Sequence, residues 1–222
     1  MRHVGIIAAL PTEMEHILAA MTEVETRTYA HTPFYTGKVG KATVTLTLCG
    51  VGCVNAAIHT QVLVDRYPVE ALICTGVAGS LSDRIPHLAM VVSEMLTFHD
   101  TDPKWQQMYY PGVAEFPADP NLVRLALASA GPEAISGVIV TGNRFVDSPA
   151  EKAELAQRFG AIAVEMEGAA LAHTAYVNDL PFVVLRCISD MADGQALDTF
   201  QRFERLAAKK ASDTVLRLLK QL

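Results

Sequence analysis

Residues 161–173 read AIAVEMEGAALAH and set two carboxylates, Glu165 and Glu167, inside an otherwise apolar run. Residues 161–164 are short and apolar, as a buried strand is, and from Gly168 the run turns Ala-rich with apolar residues at helical spacing. The two glutamates therefore fall where a strand gives way to a helix, a junction that commonly lines ligand clefts in α/β proteins. An ionised carboxylate taken out of water needs a pairing charge, hydrogen-bond donors or an incoming ligand, and a ligand with hydroxyls would serve. If the chain is still extended there, Glu165 and Glu167 share one face and Met166 points to the other. The competing reading places both on a solvated strand end, in structural ion pairs.

Beyond that junction, residues 181–188 (PFVVLRCI) form another apolar strand with Arg186 as its anomaly. A guanidinium in a central strand needs a carboxylate or a bound anion, which points to Glu13, Glu167 or another acid. Ser189 and Asp190 are expected to emerge from the C-terminal end of that strand. The helix expected over 197–219 carries the apolar stripe Phe200, Phe203, Leu206 and Leu216 and is assigned to packing. Before the junction, a strand over 135–141 leads into TGNRFV, and a helix runs from Pro149 to Phe159. Phe145 lies just past that strand, where its ring either stacks on a flat ligand or joins the core.

The N-terminal part repeats the strand-to-helix rhythm. Residues 3–9 read as a strand feeding a helix over 13–21, and Thr12 with Glu15 matches a capping box. Glu13 lacks that local role and lies at the C-terminal end of the first strand, so it is a candidate site residue as well as an ordinary first-turn acid. Residues 33–49 read as a hairpin around Gly40, followed by a helix to Tyr67 and a strand over 69–74. The next segment, TGVAGSL over 75–81, reads as a loop whose small residues let backbone approach a ligand. It lacks the Lys and the spacing of a phosphate loop. A strand over 88–96 precedes a long stretch up to Pro120 with Trp105, Tyr109, Tyr110 and Phe116. That stretch is either a surface loop stapled by its own aromatics or a piece lent to a neighbouring subunit. A helix over 121–129 completes the reading.

Half of the 222 residues are hydrophobic and 19% are charged, which argues against disorder and suggests apolar surface buried between subunits. A net charge of −6 gives no basic footprint for a phosphate backbone, so neither nucleic acid nor an anionic membrane is expected as a partner. Without a signal-like or membrane-spanning stretch, the expected location is the cytoplasm. Cys49, Cys53, Cys74 and Cys187 lie in or beside apolar segments without zinc or redox spacing, and no histidine pair has metal-ligand spacing. No metal or cofactor is expected. His99, in FHDTD, is read as structural or loop-ordering. No linker divides the chain, so residues 1–222 are expected to form a single domain.

Taken in order, GIIAALPTEME, CTGVAGS, TGNRFV, VEMEGAALAH and RCISDMAD resemble the nucleoside phosphorylase and nucleosidase superfamily over nearly the whole chain. The nearest likeness is to its bacterial branch acting on adenosine thioethers. The resemblance implies an α/β fold, a three-layer α/β/α sandwich with a central mixed, partly barrel-like sheet, and a homodimer in which the long loop completes the neighbour's pocket. It further implies hydrolysis of the N-glycosidic bond of 5′-methylthioadenosine and S-adenosylhomocysteine, releasing adenine and the 5′-thioribose. Asp190 would protonate adenine N7 and Glu13 would activate water, one carboxyl as acid and one as base. Glu167 would contact the ribose, with Met166 and Glu165 beside it. Phe145 and Val146 would bind adenine, Gly79 would bring backbone to the site, and Arg186 and Ser189 would support the water network and Asp190. Related phosphorylases carry a Gly-Asp-Pro turn and a phosphate-binding arginine where this chain has Leu10-Pro11-Thr12-Glu13, and a carboxylate there suits water and repels phosphate. The alternatives are a nucleosidase acting mainly on aminodeoxyfutalosine, or a purine nucleoside phosphorylase.

Overall fold

The computed structural model describes residues 3–222. Its elements in order are β1 (His3–Ala8), α1 (Pro11–Ala20), β2 (Thr22–Tyr29), β3 (Thr32–Val39), β4 (Ala42–Leu48), α2 (Cys53–Arg66), β5 (Ala71–Ser80), β6 (Met90–Phe98) and α3 (Pro103–Met108). There follow β7 (Glu115–Pro117), α4 (Pro120–Ala130), β8 (Ile135–Thr141), α5 (Pro149–Phe159), β9 (Ala161–Glu165), α6 (Gly168–Val177), β10 (Phe182–Asp190) and α7 (Ala196–Leu219).

The parallel pair β5–β10 is the centre, and every residue of both strands is buried. Burial on both faces follows from alternation. Leu72, Cys74, Val184 and Ile188 enter a core under α2 and α6, while Ile73, Val77, Val183 and Leu185 enter a second core under α1, α4 and α7. Helices thus cover both faces of one mixed sheet, the three-layer arrangement expected from the resemblance. The pairings β5–β10, β10–β6, β6–β8, β8–β9 and β9–β5 close a ring, so part of the sheet is a barrel, while β1, β4, β3 and β2 extend from β5 as an open sheet.

The feature that positions the site is a fork on one edge of β5. Val4–Ile7 of β1 pair in parallel with Ala71–Cys74, whereas farther along the same edge Gly79 and Ser80 pair antiparallel with Val164 and Ala163 of β9. Between these two neighbours, residues 75–78 face a gap.

Several expectations change. Residues 75–80 continue β5 rather than forming a loop; full-length pairing with β10 overrides the turn-like composition TGVAGS. Ser189 and Asp190 are the last residues of β10, not residues beyond it. β2 was not anticipated, because TEVETRTY is polar on both faces and nearly all exposed, as a guarded edge strand is. The proposed Thr12–Glu15 capping box is replaced by one in which Glu13, three residues after Leu10, accepts from the Leu10 N–H at 2.9 Å; the Thr12 hydroxyl instead donates to Glu204. The buried side of α7 is Ala207, Ala208, Ala211, Val215 and Leu218, and Leu206 is exposed. The stretch up to Pro120 contains α3 and β7, the latter pairing with β6.

Candidate active site

A cavity of about 380 Å³ opens at the fork. Glu13, Gly79, Phe145, Glu165, Met166, Glu167, Arg186, Ser189 and Asp190 all line it, and Val146 lines a smaller crevice contiguous with Gly79, Phe145 and Asp190. Five elements, α1, β5, β9, β10 and α7, converge there with the connections that hold Val51, Phe145, Met166 and Glu167, so the lining residues are dispersed in sequence.

Glu13 fills the gap in the sheet. Its Oε2 accepts from the backbone N–H groups of Ala9 at 2.8 Å and Leu10 at 2.9 Å, and Oε1 accepts from Val77 N–H at 2.9 Å. A side chain thus supplies the acceptors that a neighbouring strand would have supplied. A carboxylate offers about four acceptor positions, so with three in use one is left for a ligand or water. Burial raises its pKa, against the opposing influence of Arg186 and those N–H groups.

Glu165 is held differently. Its Oε2 accepts from Glu167 N–H at 3.0 Å and Gly168 N–H at 2.7 Å, while Thr141 donates its hydroxyl to Oε1 and accepts from Ala169 N–H at 2.8 Å. These are the orphan donors at the start of α6, and the acid complements the helix dipole there. Glu165 also pairs with Arg186 Nη2. Glu167 keeps more freedom: it accepts from Gly52 N–H at 2.8 Å and lies 3.3 Å from Arg186 Nη2. Burial, partly offset by Arg186 and reinforced by Glu165, pushes its pKa up to about 7.

Arg186 is 1% exposed and answers its anomaly as anticipated, by meeting acids. Three buried carboxylates, Glu13, Glu165 and Glu167, surround this single guanidinium. Burial raises the pKa of Glu13 and of Glu167, and Arg186 opposes the rise in each. The arrangement depends on Gly76: a Cβ there would overlap both Arg186 Nη1 and Glu13 Oε1. The small residues of TGVAGS therefore make room for the protein's own side chains.

Asp190 stands at the other side of the cavity. Its Oδ2 accepts from the Ser189 hydroxyl at 2.9 Å and Oδ1 from Ala192 N–H at 3.0 Å, and a Cβ on Gly79 would lie 2.8 Å from Oδ1. Burial raises its pKa, and the two donors oppose the shift. That favours a protonated carboxylic acid able to donate. The cavity between the two acids is walled by apolar groups: Val51, Val77, Val164, Leu197 and Phe200. Phe145 is 44% exposed and meets Phe200 edge-on at 5.9 Å, so its ring is not a core aromatic.

Sequence reasoning missed Gly52, Val77 and Thr141, whose contributions are a backbone N–H or a buried hydroxyl, and it assigned α7 to packing although Leu197 and Phe200 wall the cavity. His99 stays outside the cavity, buried against Gly142.

A family model described as the phosphorylase superfamily matches residues 3–220. The chain belongs to the phosphorylase superfamily. Among the relatives of this superfamily member, a 5′-methylthioadenosine/S-adenosylhomocysteine nucleosidase of Staphylococcus saprophyticus is 37% identical, over 99% of this chain and 100% of that protein. Among solved structures, the nucleosidase of that name from Neisseria meningitidis, in complex with methylthio-immucillin-A, superposes with a TM-score of 0.94 at 31% identity, covering 100% of both chains. The corresponding protein of Colwellia psychrerythraea, in complex with adenine, has a TM-score of 0.93 at 31% identity, covering 100% of this chain and 96% of that one. The expected superfamily and fold are thereby borne out.

Proposed function

We propose that this chain is a nucleosidase that hydrolyses the N-glycosidic bond of 5′-methylthioadenosine and S-adenosylhomocysteine, releasing adenine and the 5′-thioribose. The observation that carries the proposal is the pair of buried carboxyls, Glu13 and Asp190, on two sides of one apolar-walled cavity in a chain with these relatives. Breaking the bond leaves negative charge on the purine and cationic character on the sugar. Asp190, whose pKa burial raises and which Ser189 and Ala192 hold in place, gives its proton to adenine N7, so that the base departs neutral. Glu13, with one acceptor position free, takes the proton from water as its oxygen joins C1′. Glu167 accepts from a ribose hydroxyl, and the negative cluster around Arg186 favours the cationic sugar. Phe145 and Val146 hold the adenine, Gly79 brings backbone to the site and Met166 stands beside Glu167, while Glu165 and Arg186 keep the other groups in place.

The same electrostatics support water over phosphate as nucleophile. Arg186 is already matched by Glu165 and Glu167, and a phosphate dianion would meet the acids Glu13, Glu165 and Glu167 with no further cation among the described residues that line the cavity. Adenine release from methylthioadenosine, adenosylhomocysteine and aminodeoxyfutalosine, each with and without phosphate, tests the reading. Release without phosphate is expected, and strict phosphate dependence would sink it.

We further propose one domain, one site per chain, and a homodimer. Val54 and Ile58 of α2, Tyr176 and Val177 of α6, and Trp105, Met108, Tyr109 and Tyr110 are exposed apolar side chains on the α2–α6 side, and Tyr110 reaches the His173 ring. Exposed apolar side chains gathered on one side of the chain suit a second copy of it. The four free cysteines suit the reducing cytoplasm.

A further inference from the structure

Helix α7 begins without a cap of its own, for Gln195 at its N-cap position makes no side-chain hydrogen bond. An acceptor comes instead from another part of the chain: Asp147 Oδ1 accepts from Ala196 N–H at 3.1 Å, alongside the Asp193 carbonyl at 2.7 Å. Asp147 directly follows Phe145 and Val146. One turn into α7, Phe200 meets the Phe145 ring, and both Phe200 and Leu197 wall the cavity. A carboxylate and an aromatic contact thus join two cavity walls that are otherwise separate in sequence. In the connection from Asp190 into α7, Ala192 N–H bonds Asp190 and Gln195 N–H bonds Asp193; Met191 and Ala192 pack against the core, whereas the residues from Asp193 to Gln195 belong to no core cluster. A helix start that loses an acceptor frays, and fraying here would move Leu197 and Phe200 away from the ligand.

We propose that Asp147 is a positioning residue of this enzyme, latching the first turn of α7 to the segment that carries Phe145 and Val146 so that both walls close on the nucleoside together. The inference rests on the nucleosidase reading and adds to it a residue that does not itself touch substrate. Losing the latch weakens ground-state binding more than chemistry, because Glu13 and Asp190 keep their own hydrogen bonds.

The test compares Asp147→Ala with Asp147→Asn, which retains a side-chain oxygen acceptor. In Asp147→Ala the KM for methylthioadenosine should rise about fivefold, the size of a lost N-cap, with kcat changed less than about twofold. Backbone amides of residues 196–200 should exchange hydrogen faster in the free protein, and Asp147→Asn should restore both quantities to near wild type. An unchanged KM in Asp147→Ala, a raised KM without faster exchange at 196–200, or equal impairment in both variants would each overturn the latch. Absence of adenine release by the wild type would instead refute the nucleosidase reading, and the exchange comparison would still decide the latch.

Discussion

Replacing Gly76 with Ala adds one methyl group at the point where the catalytic cluster rests on β5. The glycine has no left-handed backbone angle, so alanine fits its conformation, and entropy alone would make the change stabilising by about 0.4–1 kcal/mol. Space reverses the sign. The new Cβ would overlap Arg186 Nη1 and Glu13 Oε1 and approach Glu13 Cδ to 2.8 Å, so Glu13 must withdraw and its 2.9 Å bond from Val77 N–H is lost. Leaving that buried donor without a charged acceptor costs about 1.5–3 kcal/mol, and forcing the methyl into a filled site adds about 1–3 kcal/mol. A net loss of about 1.5–5.5 kcal/mol corresponds to a melting temperature lowered by about 3–22 °C in a chain of this size. A shift of about 1 Å in the general base lowers kcat by about a hundredfold. Scanning calorimetry and phosphate-free adenine release measure the two effects, with Gly194→Ala, where no atom lies within 4 Å, as the neutral comparison. If Gly76→Ala melted within about 3 °C of wild type and kept its turnover within threefold, Glu13 and Arg186 would not occupy the positions described, and the proposed base would lose its structural basis.

Other outcomes follow from the same site. Asp190→Asn should abolish turnover while folding and nucleoside binding persist, checked by calorimetry and by equilibrium binding of methylthioadenosine; near-normal adenine release would remove Asp190 as the acid. Glu13→Gln should block hydrolysis and also lower the melting temperature, since an amide has one oxygen to share among three N–H donors; full stability would contradict the bridging role. Stability should fall as pH rises from about 4.5 to 7. Glu167, raised from 4.5 to about 7 by burial, contributes stability that is fully present below 4.5 and lost as pH passes 7, about 3 kcal/mol in all. Glu167→Gln should flatten that slope in melting curves, and an unchanged slope would mean that another group titrates there. Sedimentation should find dimers, with Tyr110→Asp shifting the population toward monomer; a wild-type monomer would leave the α2–α6 patch unexplained.

What could be read from the sequence was what the chain marks by contradiction. Glu165, Glu167 and Arg186 are charges in apolar surroundings, and each is resolved by the others, as charge burial requires. The strand over 135–141 and the helix from Pro149 to Phe159 were legible to the residue because turn and cap residues bound them. The continuation of β5 was not, because Gly and Ala in TGVAGS signal a loop locally and are dictated by groups from α1 and β10 far away in sequence. β2 lacked any apolar face to betray it. Glu13 was singled out by its place after a strand, but its three backbone donors belong to the fork, which only the pairing of β5 with both β1 and β9 reveals. Leu197 and Phe200 were credited to packing because an apolar stripe reads the same whether it faces a core or a cavity.

At the fork, Glu13 stands as a rung of the sheet. Deleting it would leave the N–H groups of Ala9, Leu10 and Val77 without acceptors inside the protein, so selection for a stable chain alone would preserve an acid there. Asp190 has no comparable duty, for its donors are its own neighbours Ser189 and Ala192. In this chain the glutamate at the fork therefore has a structural duty beside the proposed catalytic one. Phosphorylases of the superfamily, with a Gly-Asp-Pro turn in place of Leu10-Pro11-Thr12-Glu13, must then satisfy the corresponding donors in another way.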